Sequence, residues 1–323
     1  MQAIVVNNFG APENMELVER PNLSISQNQV LIKTIYSSVN FADIMAVTGN
    51  YPGGPPPFTP GIDTYGTIVE VGALLSPTLI GQKVMAFCDS GGYGQYTTAT
   101  DGLFFIPPSN LSDEEAGAAP LLIGTTYALV HKAATLAPGD SILIHAGAGG
   151  IGTTAIQMAR AMGASKILAL VSTPAKIPVV EELGAIGVLY GDDYDYPQEI
   201  RKIAPEGIDI SLNSVAGETI GADLKILNSF GTIVAFGMAS STPGIAYSNE
   251  LHPTSRSICG YSFGNLRRNR PHQVAPIMEE GLKFLEDGSI NLSIGSIYDL
   301  GEAALAHRAI LSRASTGKIL LRA

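Results

Sequence analysis

Residues 147–152 read Gly-Ala-Gly-Gly-Ile-Gly, directly after the apolar run SILIHA (141–146) and ahead of the stretch IGTTAIQMARAMG (151–163). Gly147, Gly149 and Gly152 have the spacing of a dinucleotide-binding turn. The first glycine permits a tight passage from strand to helix, the second lets backbone approach a pyrophosphate with no Cβ in the way, and the third lets the helix pack closely. The helix that starts at Gly150 and Ile151 offers unpaired N–H groups and a partial positive charge to phosphates. The end of the next strand selects the dinucleotide. An acidic residue about 20 positions on would grip a ribose 2′-hydroxyl. Here the chain reads Ser172-Thr173-Pro174-Ala175-Lys176, and no carboxylate follows until Glu181. Hydroxyls and a lysine suit a 2′-phosphate, so the expected cofactor is NADPH. A charge-assisted hydrogen bond is worth about 1.5–3 kcal/mol, so Lys176 would supply roughly a tenfold to hundredfold preference over NADH.

The elements around this turn place it in an alternating β/α series. SILIHA (141–146), KILALVS (166–172), VLY (188–190), IDISLNSV (208–215) and TIVAFG (232–237) are strand-like and nearly continuous in apolar residues. Helical stretches separate them, including YPQEIRKIA (196–204) and ETIGADLKILNS (218–229). Such strands imply a parallel sheet covered on both faces. Before residue 113 the pattern is different. AIVV (3–6), VLIKTIYSSV (30–39), YGTIVEVG (65–72), KVMAF (83–87) and GQYTTAT (94–100) are short strands divided by Gly and Pro clusters. The run PGGPPPFTPG (52–61) is expected to be a rigid loop, because proline fixes φ and removes donors. The segment DEEAGAAPLLIGTTYALVHKAA (113–134) reads as helix interrupted at Pro120 and Gly124. Two helices, about 272–287 and 302–312, and the strand KILLR (318–322) close the chain. The expected architecture is α/β: a doubly wound parallel sheet domain, residues 122–263, inserted in a mostly antiparallel β domain, residues 1–121 and 264–323. A cleft between the two is the expected place for a small-molecule site.

The chain has 323 residues, 46 % of them hydrophobic and 15 % charged, which suits two packed domains and excludes disorder. A net charge of −10 argues against a nucleic-acid partner, since phosphate affinity comes from clustered Lys and Arg. Arg267, Arg268 and Arg270 form the one dense basic cluster and read as a solvated helix entrance. No apolar run reaches the roughly 20 residues that span a bilayer, and residues 1–10 show no leader pattern. Cys88 and Cys259 are too few for a disulfide framework or a four-cysteine zinc site. The expected setting is the cytoplasm, without a membrane partner.

Seven stretches together resemble the zinc-free quinone oxidoreductase (ζ-crystallin-like) branch of the medium-chain dehydrogenase/reductase superfamily. They are NFADIMAVTGNYP (40–52), PGIDTYGTIVEVG (60–72), GQKV (81–84), IGTTYALV (123–130), HAGAGGIG (145–152), FGTIVAFG (230–237) and RASTGKILL (313–321). The resemblance covers essentially the whole chain. It implies a GroES-like catalytic domain, a Rossmann dinucleotide domain and a homodimer. The superfamily's zinc enzymes use a Cys, a His–Glu pair and a further Cys or Asp. Here that pair reads Ile62-Asp63 and no four-cysteine lobe exists, so no metal is expected. Without zinc to stabilise a developing alkoxide, the fitting acceptors are electron-poor: quinones and α,β-unsaturated carbonyls.

The resemblance also assigns residues. Asn40 and Asp43 would lie beside nicotinamide and substrate, although the same spacing serves as an ordinary helix cap. Tyr51 corresponds to a candidate proton donor of related enoyl-thioester reductases, or else it caps the proline loop. Thr126, Val215, Phe236, Gly237 and Arg313 would line the cofactor. Met238 and Gly191 stand where relatives often carry Asn and Tyr. The leading reading is NADPH-dependent hydride transfer to quinones. The alternatives are an enone, 2-alkenal or enoyl-thioester reductase, and a non-catalytic NADPH-binding sensor or structural protein.

Overall fold

A computed structural model describes residues 1–51, 54–191 and 193–323. The chain divides into two compact units. One comprises Met1–Ile123, Pro271–Glu286 and Leu292–Ala323; the other comprises Gly124–Arg270 and Asp287–Asn291.

In the first unit the strand Gln29–Val39 is the spine of a seven-stranded sheet. It pairs antiparallel with Lys318–Arg322, Asp63–Val71 and Tyr96–Thr100. Lys83–Phe87 and Phe104–Phe105 extend one side, again antiparallel. Ile294–Asp299 joins Lys318–Arg322 in parallel. A separate hairpin pairs Gln2–Val6 with Met15–Glu19. Val30, Ile32, Ile68, Val84 and Ala86 form one apolar cluster on this frame, and Ile4, Val6, Val39, Ile319 and Leu321 belong to another. Of the proline loop, Pro52 and Gly53 lie outside the described residues. Phe58 exchanges backbone hydrogen bonds with Val6 at 2.9 and 3.2 Å, which anchors the rest.

In the second unit six strands form a parallel sheet. Their spatial order is Ile186–Leu189, Lys166–Val171, Ser141–Ile144, Ile208–Asn213, Leu227–Ala235 and Ser257–Gly260. Numbered along the chain, this is the order 3-2-1-4-5-6 of the doubly wound dinucleotide fold. The order reverses between Ser141–Ile144 and Ile208–Asn213, and ligands of such sheets bind in the crevice outside the strand ends at that reversal. Leu143, Leu168, Leu170, Ile208 and Ile233 are buried in the core beneath helices Tyr196–Ile203 and Glu218–Ile226.

Several features differ from the sequence reading. The helix Asp113–Tyr127 runs through Pro120 and Gly124 without a break, and Ala128–Ala133 continues it as a π-helix. Proline removes one helical donor and crowds the turn before it; the next amide, of Leu121, donates instead to Asp63 Oδ2 at 3.0 Å. Strand Met15–Glu19 and helix Phe41–Val47 were not anticipated as elements. Arg267 and Arg268 close helix Phe263–Asn269 in its last turn rather than opening a helix, where cations complement the helix dipole.

Candidate functional site

The glycine turn uses its three glycines for three different reasons. A Cβ on Gly147 would stand 2.7 Å from the Cβ of Ala169 on the neighbouring strand. A Cβ on Gly152 would stand 2.4 Å from the carbonyl oxygen of Ala146 and 2.5 Å from that of Gly147. These two positions are closed by protein. Gly149 is different: its added Cβ would meet only Ala146 O, at 3.3 Å. The left-handed residue of the turn is Ala146, with φ of 51°, so the tight bend does not rest on Gly147. Gly149 caps helix Gly150–Ala161 without a side-chain hydrogen bond. The first-turn amides of Gly150, Ile151 and Gly152 thus have no side chain over them, as an anion-binding helix start requires. These residues fit a pyrophosphate.

Ser172 and Thr173 follow the end of strand Lys166–Val171, and Thr173 begins a short 3-10 turn, Pro174–Lys176. Lys176 is half-buried at the start of helix Ile177–Glu182. Val215 lies on the loop after Ile208–Asn213, and Phe236 and Gly237 follow Leu227–Ala235. These loops are tied together: Phe236 N–H donates to Asn213 O at 3.0 Å and Ser240 N–H to Val215 O at 3.0 Å. A Cβ at Gly237 would stand 2.6 Å from Ser214 O. All these residues sit at the carboxyl ends of the parallel strands. Thr126 is fully buried, and its hydroxyl makes no hydrogen bond among the described residues. Arg313 belongs to the other unit, exposed and left-handed, with φ of 55°.

In the antiparallel unit Asn40 and Asp43 are built into a buried polar cluster. Asn40 is 4 % exposed and Asp43 1 %. Asn40 precedes helix Phe41–Val47, and its N–H donates to Asp43 Oδ2 at 2.9 Å, one half of a capping box. The Asn40 amide is engaged at both ends. Its Nδ2 donates to Asp63 Oδ1 at 2.9 Å, and its Oδ1 accepts from the buried Lys318 ammonium. Asp63 also accepts from Ser38 Oγ at 2.5 Å. The Tyr93 hydroxyl donates to Asp43 Oδ2 at 3.3 Å and lies 3.0 Å from His307 Nε2.

Burial, and after it the Asp63 carboxylate, push the Asp43 carboxyl up to about 7. Burial pulls the Lys318 ammonium below its usual range against the pull of both aspartates. Burial alone lowers His307 to about 4. Tyr93 is raised well above the phenol range by burial and by Asp43.

The sequence reading put Asn40 and Asp43 at the substrate. The structure shows them in a buried cap and bridge, while Tyr51 is half-buried. Asp63, Tyr93, His307 and Lys318 were missed as a group. Asp63 and Lys318 stand in noticed motifs, but no spacing links positions so far apart.

The donors do not fit zinc. Ile62 stands where a histidine would be needed, and Asp63 spends its oxygens on Ser38, Asn40 and Leu121. Among the described residues no group of three or more His, Cys, Asp or Glu is placed to hold a metal ion.

Comparison with known proteins agrees with this architecture. Residues 26–168 match the family described as "Alcohol dehydrogenase GroES-like domain", and residues 150–280 the one described as "Zinc-binding dehydrogenase". The quinone oxidoreductase of Sus scrofa is 34 % identical over 99 % of this chain and 97 % of its own length. The synaptic vesicle membrane protein VAT-1 homolog of Rattus norvegicus is 28 % identical over 99 % of this chain and 84 % of its own. The crystal structure of Escherichia coli quinone oxidoreductase complexed with NADPH superposes with a TM-score of 0.92 at 25 % identity, covering 100 % of both chains. The chain belongs to the medium-chain dehydrogenase/reductase superfamily of oxidoreductases, with quinone oxidoreductases among its relatives.

Proposed function

We propose that this protein is an NADPH-dependent oxidoreductase that transfers hydride to quinones without zinc. The observation that carries this reading is the turn at Gly149, open above a helix start that no side chain caps, with Ser172, Thr173 and Lys176 at the next strand end and no carboxylate between them. The turn would hold the pyrophosphate, and Lys176 with the two hydroxyls the 2′-phosphate. NADPH, when bound, supplies the hydride. The relatives' names and the NADPH complex of the Escherichia coli protein support the same assignment.

What the chain supplies is binding and exclusion of water rather than Lewis-acid chemistry. Electron-poor quinones need alignment and a later proton, not a metal-stabilised alkoxide. The hydrogen-bonded cluster of Asn40, Asp43, Asp63 and Lys318 fixes the start of helix Phe41–Val47, and a place for Asn40 and Asp43 beside nicotinamide and substrate stays part of this proposal. Tyr51, a few residues beyond that helix, keeps a phenol that can donate to a carbonyl or enolate. It favours a second reading, reduction of an enone, 2-alkenal or enoyl thioester. A Tyr51→Phe variant should lose most turnover on a 2-alkenal if that reading holds, and full turnover would exclude Tyr51 as proton donor.

Fluorescence titration with NADPH and NADH tests the cofactor half directly. NADPH should bind at least about tenfold more tightly; equal affinities would refute the role given to Lys176. We propose a cytoplasmic setting on the likeness to the quinone oxidoreductases; separately, among the described residues no helix is long and apolar enough to cross a membrane. We also propose a homodimer. Strand Ser257–Gly260 ends the parallel sheet, Phe230 is 81 % exposed and Tyr247 65 %; unpartnered sheet edges of this kind invite pairing. Light scattering that returned a monomer mass would end this idea.

A further inference from the structure

Asp223 lies within helix Glu218–Ile226, fully buried, and is not among the residues placed at the dinucleotide or the substrate. Four side chains converge on its carboxylate. His145 Nε2 lies 3.1 Å from Oδ1 and 3.0 Å from Oδ2. The Tyr196 hydroxyl donates to Oδ1 at 2.7 Å. The Ser211 hydroxyl and the Asn213 amide each donate to Oδ2 at 2.7 Å. Burial pushes the carboxyl up, but His145, Ser211 and Tyr196 outweigh it and hold Asp223 below the usual carboxylate range. An ionised carboxylate only accepts, so His145 presents Nε2–H to it.

Two arms leave this hub. His145 follows strand Ser141–Ile144 and immediately precedes the glycine turn. Its Nδ1 makes no hydrogen bond among the described residues, so the ring is oriented by the Asp223 side and by the Tyr196 ring set edge-on at 6.0 Å. Asn213 ends the adjacent strand. Its Oδ1 accepts the N–H groups of Val215 at 3.0 Å and Ala216 at 2.9 Å, which leaves its NH₂ end to donate to Asp223 and, at 2.9 Å, to Thr219 Oγ1. The Asn213 carbonyl in turn holds Phe236 N–H. The two strands are the pair between which the sheet order reverses, so the arms end on the two rims of the crevice where such sheets bind nucleotides.

We infer that Asp223 is a positioning residue for the dinucleotide: by gripping His145 and Asn213 together it sets the separation of the glycine turn from the Val215 loop. This rests on the NADPH reading above. A carboxylate that merely filled the core would affect stability and leave cofactor affinity alone.

The test measures the NADPH dissociation constant by fluorescence, and the thermal midpoint, for wild type, Asp223→Asn, His145→Ala, His145→Gln and Tyr196→Phe. Glutamine places a donor where His145 Nε2 lies and is the conservative rescue. Asp223→Asn and His145→Ala should each weaken NADPH by about tenfold or more, with His145→Gln close to wild type. Tyr196→Phe removes a hub donor whose hydroxyl bonds neither His145 nor Asn213, only Asp223 and the Thr219 carbonyl; it should lower the midpoint and leave affinity within about twofold. If Asp223→Asn does not fold, the His145 pair decides. Folded Asp223→Asn or His145→Ala with wild-type affinity, or His145→Gln as weak as His145→Ala, overturns the inference. Failure of the wild type itself to bind NADPH refutes the parent reading, and the inference falls with it.

Discussion

Asp43 and His307 sit on either side of the Tyr93 hydroxyl and titrate in opposite senses, which makes stability against pH a direct probe of their burial. Burial and the Asp63 charge raise Asp43 from 3.8 to about 7. Between those values the folded chain keeps a proton that the unfolded chain has released, so this group makes stability fall as pH rises. Burial lowers His307 from 6.5 to about 4. Between those values the unfolded chain carries a proton that the folded chain lacks, so this group makes stability rise with pH. Each contributes roughly 1.4 kcal/mol per pH unit inside its window. The windows overlap, and in the wild type the two contributions largely cancel. Asp43→Asn keeps an acceptor for Tyr93 and for Asn40 N–H but removes the titration. Relative to wild type it should gain on the order of 3 kcal/mol as pH rises from about 4 to about 7. His307→Gln keeps a partner for Tyr93 and should lose a similar amount, on the order of 3 kcal/mol, over about pH 4 to 6.5. Urea midpoints across this range, taken as differences from wild type, read both slopes free of the other titrating groups. Parallel profiles for all three proteins would refute the argument that this cluster is dry and coupled.

Gly152→Ala forces a Cβ against two backbone carbonyls and should cost about 1–3 kcal/mol in a melt, whereas Gly149→Ala, whose Cβ would press on one carbonyl oxygen at 3.3 Å, should cost less than Gly152→Ala and weaken NADPH by about tenfold or more. The reverse pattern would remove the roles assigned to these glycines. Lys176→Ala should cut the NADPH-to-NADH preference by roughly tenfold to hundredfold, as a ratio of kcat/KM values; an unmoved ratio refutes the contact. Lys318→Met leaves two buried aspartates without their cation and should cost about 3–5 kcal/mol of stability at neutral pH. Acidification through the Asp43 window should recover part of that loss, and a deficit of the same size at every pH would contradict the compensation argument.

The parallel sheet was legible because its strands are short apolar runs with a helix between each pair, a pattern few other folds share. The glycine turn was legible for the same local reason, since strand, turn and helix are contiguous. Helix Phe41–Val47 was harder, being only 7 residues long and helical mainly through its cap. The Asp113–Tyr127 helix defied the proline rule because a buried carboxylate far along the chain takes the amide that Pro120 dislodges. The polar cluster itself was hidden. Asn40, Asp63 and Lys318 meet only because Lys318–Arg322 and Asp63–Val71 flank opposite sides of Gln29–Val39, and no local pattern carries that information. Asp223 gave no sign at all, since one acidic residue in a helix that also carries Glu218 and Lys225 reads as surface.

Zinc-free hydride transfer to quinones is read by NADPH oxidation, followed by its near-ultraviolet absorbance, over four acceptors: an ortho-quinone, a para-quinone, a 2-alkenal and crotonyl-CoA, each repeated with NADH. Turnover should concentrate on the quinones, run faster with NADPH, and be unaffected by a chelator. Turnover confined to the alkenal or thioester would make the protein an enoyl-type reductase. No oxidation with any acceptor, despite tight NADPH binding, would contradict the enzymatic reading and leave a nucleotide-binding protein.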